Sequence, residues 1–86
     1  MDIAKKISDV LEFPAEAVMD ISKIILVGNQ RIVVENYLAL LDDKSDTIRL
    51  KHSAGVIEIL GENFEIKSIG EQNIEVLGEI RAIRLI

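Results

Sequence analysis

The sequence predicts a mainly β domain, a small antiparallel β sandwich or roll of bent hairpins with one N-terminal helix. Three observations point there. Ile and Val number 15 and 7 among 86 residues, and β-branched side chains suit a pleated, half-buried surface better than a helix interior. From about Ile21 onward apolar and polar residues alternate with a period of two, the mark of strands with one face to the core and one to water. The stretch Ile57–Ile69 also returns, without a gap, as Ile74–Ile86.

The first twenty residues have a different period. Ile3, Ile7, Val10 and Leu11 fall at i, i+4, i+7 and i+8, which is one apolar helix face. The expected helix runs over 3–12, with Asp2 as its cap and Pro14 ending it near Phe13. A second short turn over 15–18 follows, with Pro14 at its first position. Asp2, Asp9, Glu12, Glu16 and Asp20 outnumber Lys5 and Lys6 here, and acidic flanks argue against lying on a membrane. The apolar face that includes Ile3 and Ile7 is expected to cover the sheet, with docking onto a partner as the alternative. The chain is read as one domain, 1–86, with a helical segment over 1–19 and a β domain over 20–86.

In the β domain Ile48 and Leu50 alternate with Arg49 and Lys51, and Ile57 and Ile59 flank Glu58. Phe64 and Ile66 alternate with Glu65 and Lys67, and Ile74 and Val76 flank Glu75. Turn residues fall between these runs at Gly28-Asn29, 42–46, 53–55, 61–63, 70–73 and Gly78. Loops this short favour antiparallel neighbours, because parallel ones need a crossover of about a dozen residues. Of the 13 repeated positions, 7 are identical at an offset of 17. Each copy reads strand, Leu-Gly-Glu, strand. Leu60 and Leu77 break the alternation just before a glycine, which predicts a bend or bulge. The segment 24–34 is a weaker third copy around Gly28. Two successive bent hairpins are preferred over a short β-solenoid with 17-residue rungs, which wants at least three repeats.

Composition sets limits on function. The chain is too short for two cores, and its aromatics are Phe13, Tyr37 and Phe64 alone. A net charge of −5 disfavours nucleic acid and anionic lipid, which attract basic faces. A nucleic-acid role would need Lys23, Arg31, Arg49, Lys51, Lys67, Arg81 and Arg84 gathered into one stripe. With no Cys, disulfides, thiolate catalysis and cysteine-ligated metals are excluded. No apolar run approaches the roughly twenty residues of a membrane span, and the start lacks the pattern of a secretory signal. The expected compartment is the cytoplasm, or a face opening onto it.

No set of residues reads as an active site, a metal site or a cofactor site, and the chain is expected not to be an enzyme. Asp42, Asp43 and Asp46 resemble a calcium loop, but Lys44 takes a ligand position and Thr47 the glycine position. They read as a hairpin loop bonding its own backbone. His52 and Ser53 are adjacent in a strand end and so point to opposite faces, unlike a base and its nucleophile. Glu58, Glu62, Glu65, Glu75 and Glu79 alternate with apolar residues, as water-facing strand positions do, with Lys67, Arg81 and Arg84 available as cross-strand partners. Gly28, Gly61 and Gly78 form no phosphate loop. The chain ends on Ile83, Arg84, Leu85 and Ile86, an apolar strand that is either covered or left as an edge for another chain. Ile83, Leu85 and Ile86, with Ile3 and Ile7, are the candidate interaction residues.

The order of motifs from Leu11 onward resembles the YabP/YqfC family of sporulation proteins, and the YqfC branch in particular. The resemblance rests on Leu11-Glu12-Phe13-Pro14, Asp20-Ile21-Ser22-Lys23-Ile24, Leu26-Val27-Gly28-Asn29, Val34-Glu35-Asn36 and Ile48-Arg49-Leu50. It continues through Gly55-Val56-Ile57-Glu58-Ile59, Gly61-Glu62-Asn63-Phe64-Glu65-Ile66 and Ile74-Glu75-Val76-Leu77-Gly78-Glu79-Ile80. Two positions depart from the pattern: Ser22 stands where a proline is expected and Tyr37 where a histidine is common. The resemblance implies a non-enzymatic part in spore assembly, in the mother cell and peripheral to the forespore surface. It also implies a sporulation membrane protein as partner, or association with the outer layers of the developing spore, while the apolar C-terminal strand and the repeat point to self-association as the other mode. The alternative is a small-ligand binder or weak enzyme using a pocket between sheet and helix.

Overall fold

The computed structural model describes residues 21–86, so the expected helix, with Ile3 and Ile7, lies outside the described residues. The described chain is six strands: β1 (Lys23–Val27), β2 (Arg31–Glu35), β3 (Ala39–Asp43), β4 (Thr47–His52), β5 (Gly55–Ile69) and β6 (Asn73–Leu85). They form one antiparallel sheet in the order β1-β2-β6-β5-β4-β3. Every pairing between neighbours is antiparallel, so the repeat does not stack as solenoid rungs.

The two repeat copies are not two hairpins in succession. Each is a single long strand, and the two pair with each other as the arms of one hairpin. The expected break at Leu60 and Leu77 falls in the middle of those arms, where the register shifts between Leu60 and Gly61 and between Glu62 and Glu65. The segment 24–34, read as a weak third copy, is the β1–β2 hairpin around Gly28.

The long hairpin is folded back on itself, and the connection from β2 to β3 shows why. Asn36 N–H donates to Gln72 O (2.6 Å), at the tip of the hairpin, and Leu38 N–H donates to Lys51 O (2.8 Å). Lys51 pairs with Val56, near the opposite end of β5. A straight strand from Val56 to Ile69 would span about 43 Å at 3.3 Å per residue, whereas two peptide steps cover at most about 7 Å. The ribbon must therefore double back near its middle. Asn36 takes a positive φ of 64° at this crossing, a conformation Asn tolerates better than most residues. Its Nδ2 donates to Ile21 O (3.0 Å), and Ser22 Oγ donates to its carbonyl (2.7 Å).

Folding the ribbon brings two apolar faces together. Ile32 and Val34 of β2 with Ile74 and Val76 of β6 lie on one side. Ile48 and Leu50 of β4 with Ile57 and Ile59 of β5 lie on the other, and all eight are at most 1% exposed. Tyr37, on the crossing, and Ile80 complete the cluster. Among the described residues no polar or charged side chain belongs to it.

The bend is built from glycine and two turns. A Cβ on Gly61 would strike the carbonyl of Glu79 and come within 2.8 Å of the Phe64 ring, and one on Gly78 would meet the same ring at 2.6 Å. Phe64 thus packs over both glycines. The donors that the bend frees find acceptors in neighbouring turns. Gly61 and Phe64 N–H donate to Asp46 O (3.1 Å) and Ser45 O (2.8 Å), and Gly78 and Ile80 N–H to Gln30 O (3.1 Å) and Asn29 O (2.6 Å).

Candidate functional site

The residues with chemical promise are occupied by the fold. The Asp42–Asp46 loop lends two backbone carbonyls to the bend in β5. Asp42 itself pairs with Arg49, its Oδ2 3.3 Å from Nη1. His52 Nδ1 accepts the Ala54 N–H at 3.4 Å, so this histidine holds the turn that follows its own strand. Glu62, Glu65 and Glu79 are exposed as their alternation predicts, whereas Glu58 and Glu75 are half-buried, and four of the five lie beside arginines. Glu58 lies between Arg49 (3.4 Å) and Arg84 (3.2 Å). Arg81 lies 3.2 Å from Glu62 and 3.7 Å from Glu79, and Arg31 pairs with Glu75. Asp42, Arg49, Glu58 and Arg84 stand directly opposite one another across β3, β4, β5 and β6, a ladder of alternating charge. Four arginines of the stripe that nucleic acid would need are therefore paired with carboxylates.

Open depressions flank the bend. One of about 520 Å³ is lined by Asn29, Gln30, Asn63, Leu77, Gly78 and Glu79, and its one ionisable side chain is Glu79, itself beside Arg81. The pocket between sheet and helix that a small ligand would use lies outside the described residues.

The unused chemistry of the sheet is at its edges. Val56 and Ile86 exchange both backbone hydrogen bonds, each at 2.8 Å. Bonded and non-bonded pairs alternate along an antiparallel ladder. With an unbroken register from Leu85 to Ile83, Glu58 and Arg84 form the next bonded pair. Ile83 and Leu85 then turn their N–H and C=O groups away from β5. On that side β2 pairs with β6 over Asn73–Leu77, and Ile80 N–H reaches the β1–β2 turn. Past Ile80 no described strand pairs with β6 on the side away from β5.

The three candidate residues here differ in role. Ile83 is half-buried and packs against the core, whereas Leu85 is 69% and Ile86 56% exposed. Sequence reasoning missed other exposed apolar positions, among them Ile25, Leu26 and Val27 on β1, Leu41 on β3 and Ile69 at the end of β5. The signal was present at β1, where Ile24–Val27 is apolar without alternation and so cannot bury every side chain on one face.

Comparison with known proteins gives two matches. Residues 20–86 match the model of the YabP family. The uncharacterized protein YqfC of Bacillus subtilis (strain 168) is 36% identical over 76 residues, covering 88% of this chain and 82% of the relative. No solved structure matches.

Proposed function

The chain belongs to the YabP family, a sporulation-associated family, and from that premise we propose that it is a non-enzymatic interaction module of spore assembly. Its working surface is the open edge of β6, where an extended segment of a partner adds as a further strand. The observation that carries this reading is the one-sided pairing of the chain's end. Ile86 is tied to Val56, while the phase of the ladder directs the backbone groups of Ile83 and Leu85 outward beside two exposed apolar side chains.

The edge also favours a chemistry in its partner. Ile83 and Leu85 lie on the face that carries Ile57 and Ile59, so the added strand places apolar residues beside them. Arg84 lies on the charged face, next to Glu58, and favours an acidic or hydrogen-bonding neighbour. A two-fold pairing of this edge with itself about Arg84 would set Arg84 against its own copy, a like-charge contact that disfavours that register. A sporulation membrane protein, met by this module on the mother-cell side of the forespore surface, fits that description.

The test is a spore-forming host that carries the chain as wild type, as a deletion, or as Leu85→Pro. The Leu85 N–H points away from β5, so proline there removes an outward donor and leaves the internal ladder bonded. The expected result is a folded variant whose yield of heat-resistant spores falls to that of the deletion. Wild-type yield from a folded Leu85→Pro chain, in a host whose deletion strain is defective, would refute the reading.

A further inference from the structure

The sheet has four open edges among the described residues, and they are not alike. The outer side of β3 is broken by a register shift between Leu40 and Asp42 and ends on two aspartates. The far half of β5 is broken between Ile66 and Ser68, which leaves Lys67 as the extra residue. The end of β6 has Arg81 as the extra residue between Ile80 and Ala82 and sets Arg84 against itself in a two-fold pairing. Bulges and charges of this kind are how sheet edges avoid pairing with copies of themselves.

The edge at β1 has no bulge, and its one charge, Lys23, stands at its first residue. Its register with β2 runs unbroken from Lys23↔Glu35 to Val27↔Arg31, and Ile24, Ile25, Leu26 and Val27 carry no charge. Leu26 is 49% and Val27 51% exposed. Ile25 faces outward, because its partner Val33 lies between the buried Ile32 and Val34.

We propose that β1 is a self-association edge, on which two copies pair antiparallel about a two-fold axis through Ile25. In that register Ile24 meets Leu26 of the second copy, Ile25 meets itself, and Val27 meets Lys23. No like charges face each other, and the apolar run that alternation leaves unexplained is covered on both copies. A two-fold contact of this sort closes on itself and makes a dimer rather than a fibre. The inference concerns a different edge from the strand addition at β6, and the two stand or fall separately.

The two-fold axis gives the test its specificity, since only residue 25 stands opposite its own copy. Ile25 lies on the water-facing side of the sheet, so a charge there leaves the core intact. Light scattering behind size exclusion on the full chain, over a range of concentrations, is expected to show a dimer. Ile25→Glu and Ile25→Lys, each shown to be folded by circular dichroism and a cooperative melt, are expected to weaken it at least tenfold when alone. An equal mixture of the two is expected to restore the dimer, as a complex of one copy of each. A wild-type chain that stays monomeric throughout would overturn the proposal, because β1 would then be covered within the chain or left unused. So would a dimer that both folded variants preserve, or one that the mixture fails to restore.

Discussion

Ile57 and Ile74 occupy equivalent places in the fold. They are 17 positions apart, at the start of the two repeat copies. Each is fully buried, and each stands opposite a buried residue of a flanking strand, Leu50 for Ile57 and Val34 for Ile74. Two positions on, Ile59 faces Ile48 and Val76 faces Ile32 in the same manner. The repeat records this relation: each arm of the long hairpin gives its first half to a short flanking hairpin, and the bend turns the two halves toward a shared core. Ile57→Ala and Ile74→Ala are therefore expected to cost similar amounts, each about 2–5 kcal/mol, as large-to-small changes in a core do. The last pair of the repeat, Ile69 and Ile86, is exposed, and its alanine variants are expected to stay within about 0.5 kcal/mol of wild type. Urea unfolding of the four variants checks both statements.

The two glycines with different reasons for being glycine separate crowding from backbone conformation. Gly61 has no room, since a Cβ would strike the Glu79 carbonyl, and Gly61→Ala is expected to cost about 3 kcal/mol or more. Gly28 has open space around it and a φ of 56°. Gly28→Ala is expected to cost about 1 kcal/mol, the strain of the left-handed region partly offset by a less flexible unfolded chain. Chemical denaturation distinguishes the two, and equal costs would contradict the description of the bend.

Adjacent residues at the end of β6 should differ in how much proline costs them. Arg84 bonds inward to Glu58 through the ladder, so Arg84→Pro removes an internal bond and strands a carbonyl, at about 1–3 kcal/mol. Leu85→Pro removes an outward N–H and is expected to cost under about 1 kcal/mol. Thermal melts of the two variants report the phase of the edge directly, and the reverse order would mean that the phase is wrong.

The charge ladder is a modest contributor. A double-mutant cycle between Arg49→Met and Glu58→Gln is expected to give a coupling of about 0.2–1 kcal/mol, typical of cross-strand pairs. It should shrink in about 1 M salt, where the screening length falls to about 3 Å. A coupling unchanged by salt would mean that packing of the long side chains, and not charge, accounts for it.

Much of the fold was legible in the sequence because alternation is a local property. The buried positions of β2, β4, β5 and β6 follow it, and Leu-Gly-Glu marked the bend through the missing side chain of glycine. Pairing is not local, so the repeat could be found without revealing that its two copies pair with each other. The β1 edge was overlooked for a related reason: an apolar run reads as burial until the topology leaves it outermost. The terminal residues were singled out correctly as a strand, but Ile83 belongs with the core and only Leu85 and Ile86 stand clear of it.

The most direct test of the interaction edge is a photo-crosslinking side chain at position 86, introduced into the full chain in sporulating cells, with and without Leu85→Pro. The expected result is an adduct with one membrane-fraction protein, formed only during sporulation and lost in the proline variant, while a probe at position 71, in the exposed turn between β5 and β6, gives none. An adduct that survives Leu85→Pro, or the same adduct from both positions, would contradict strand addition at β6.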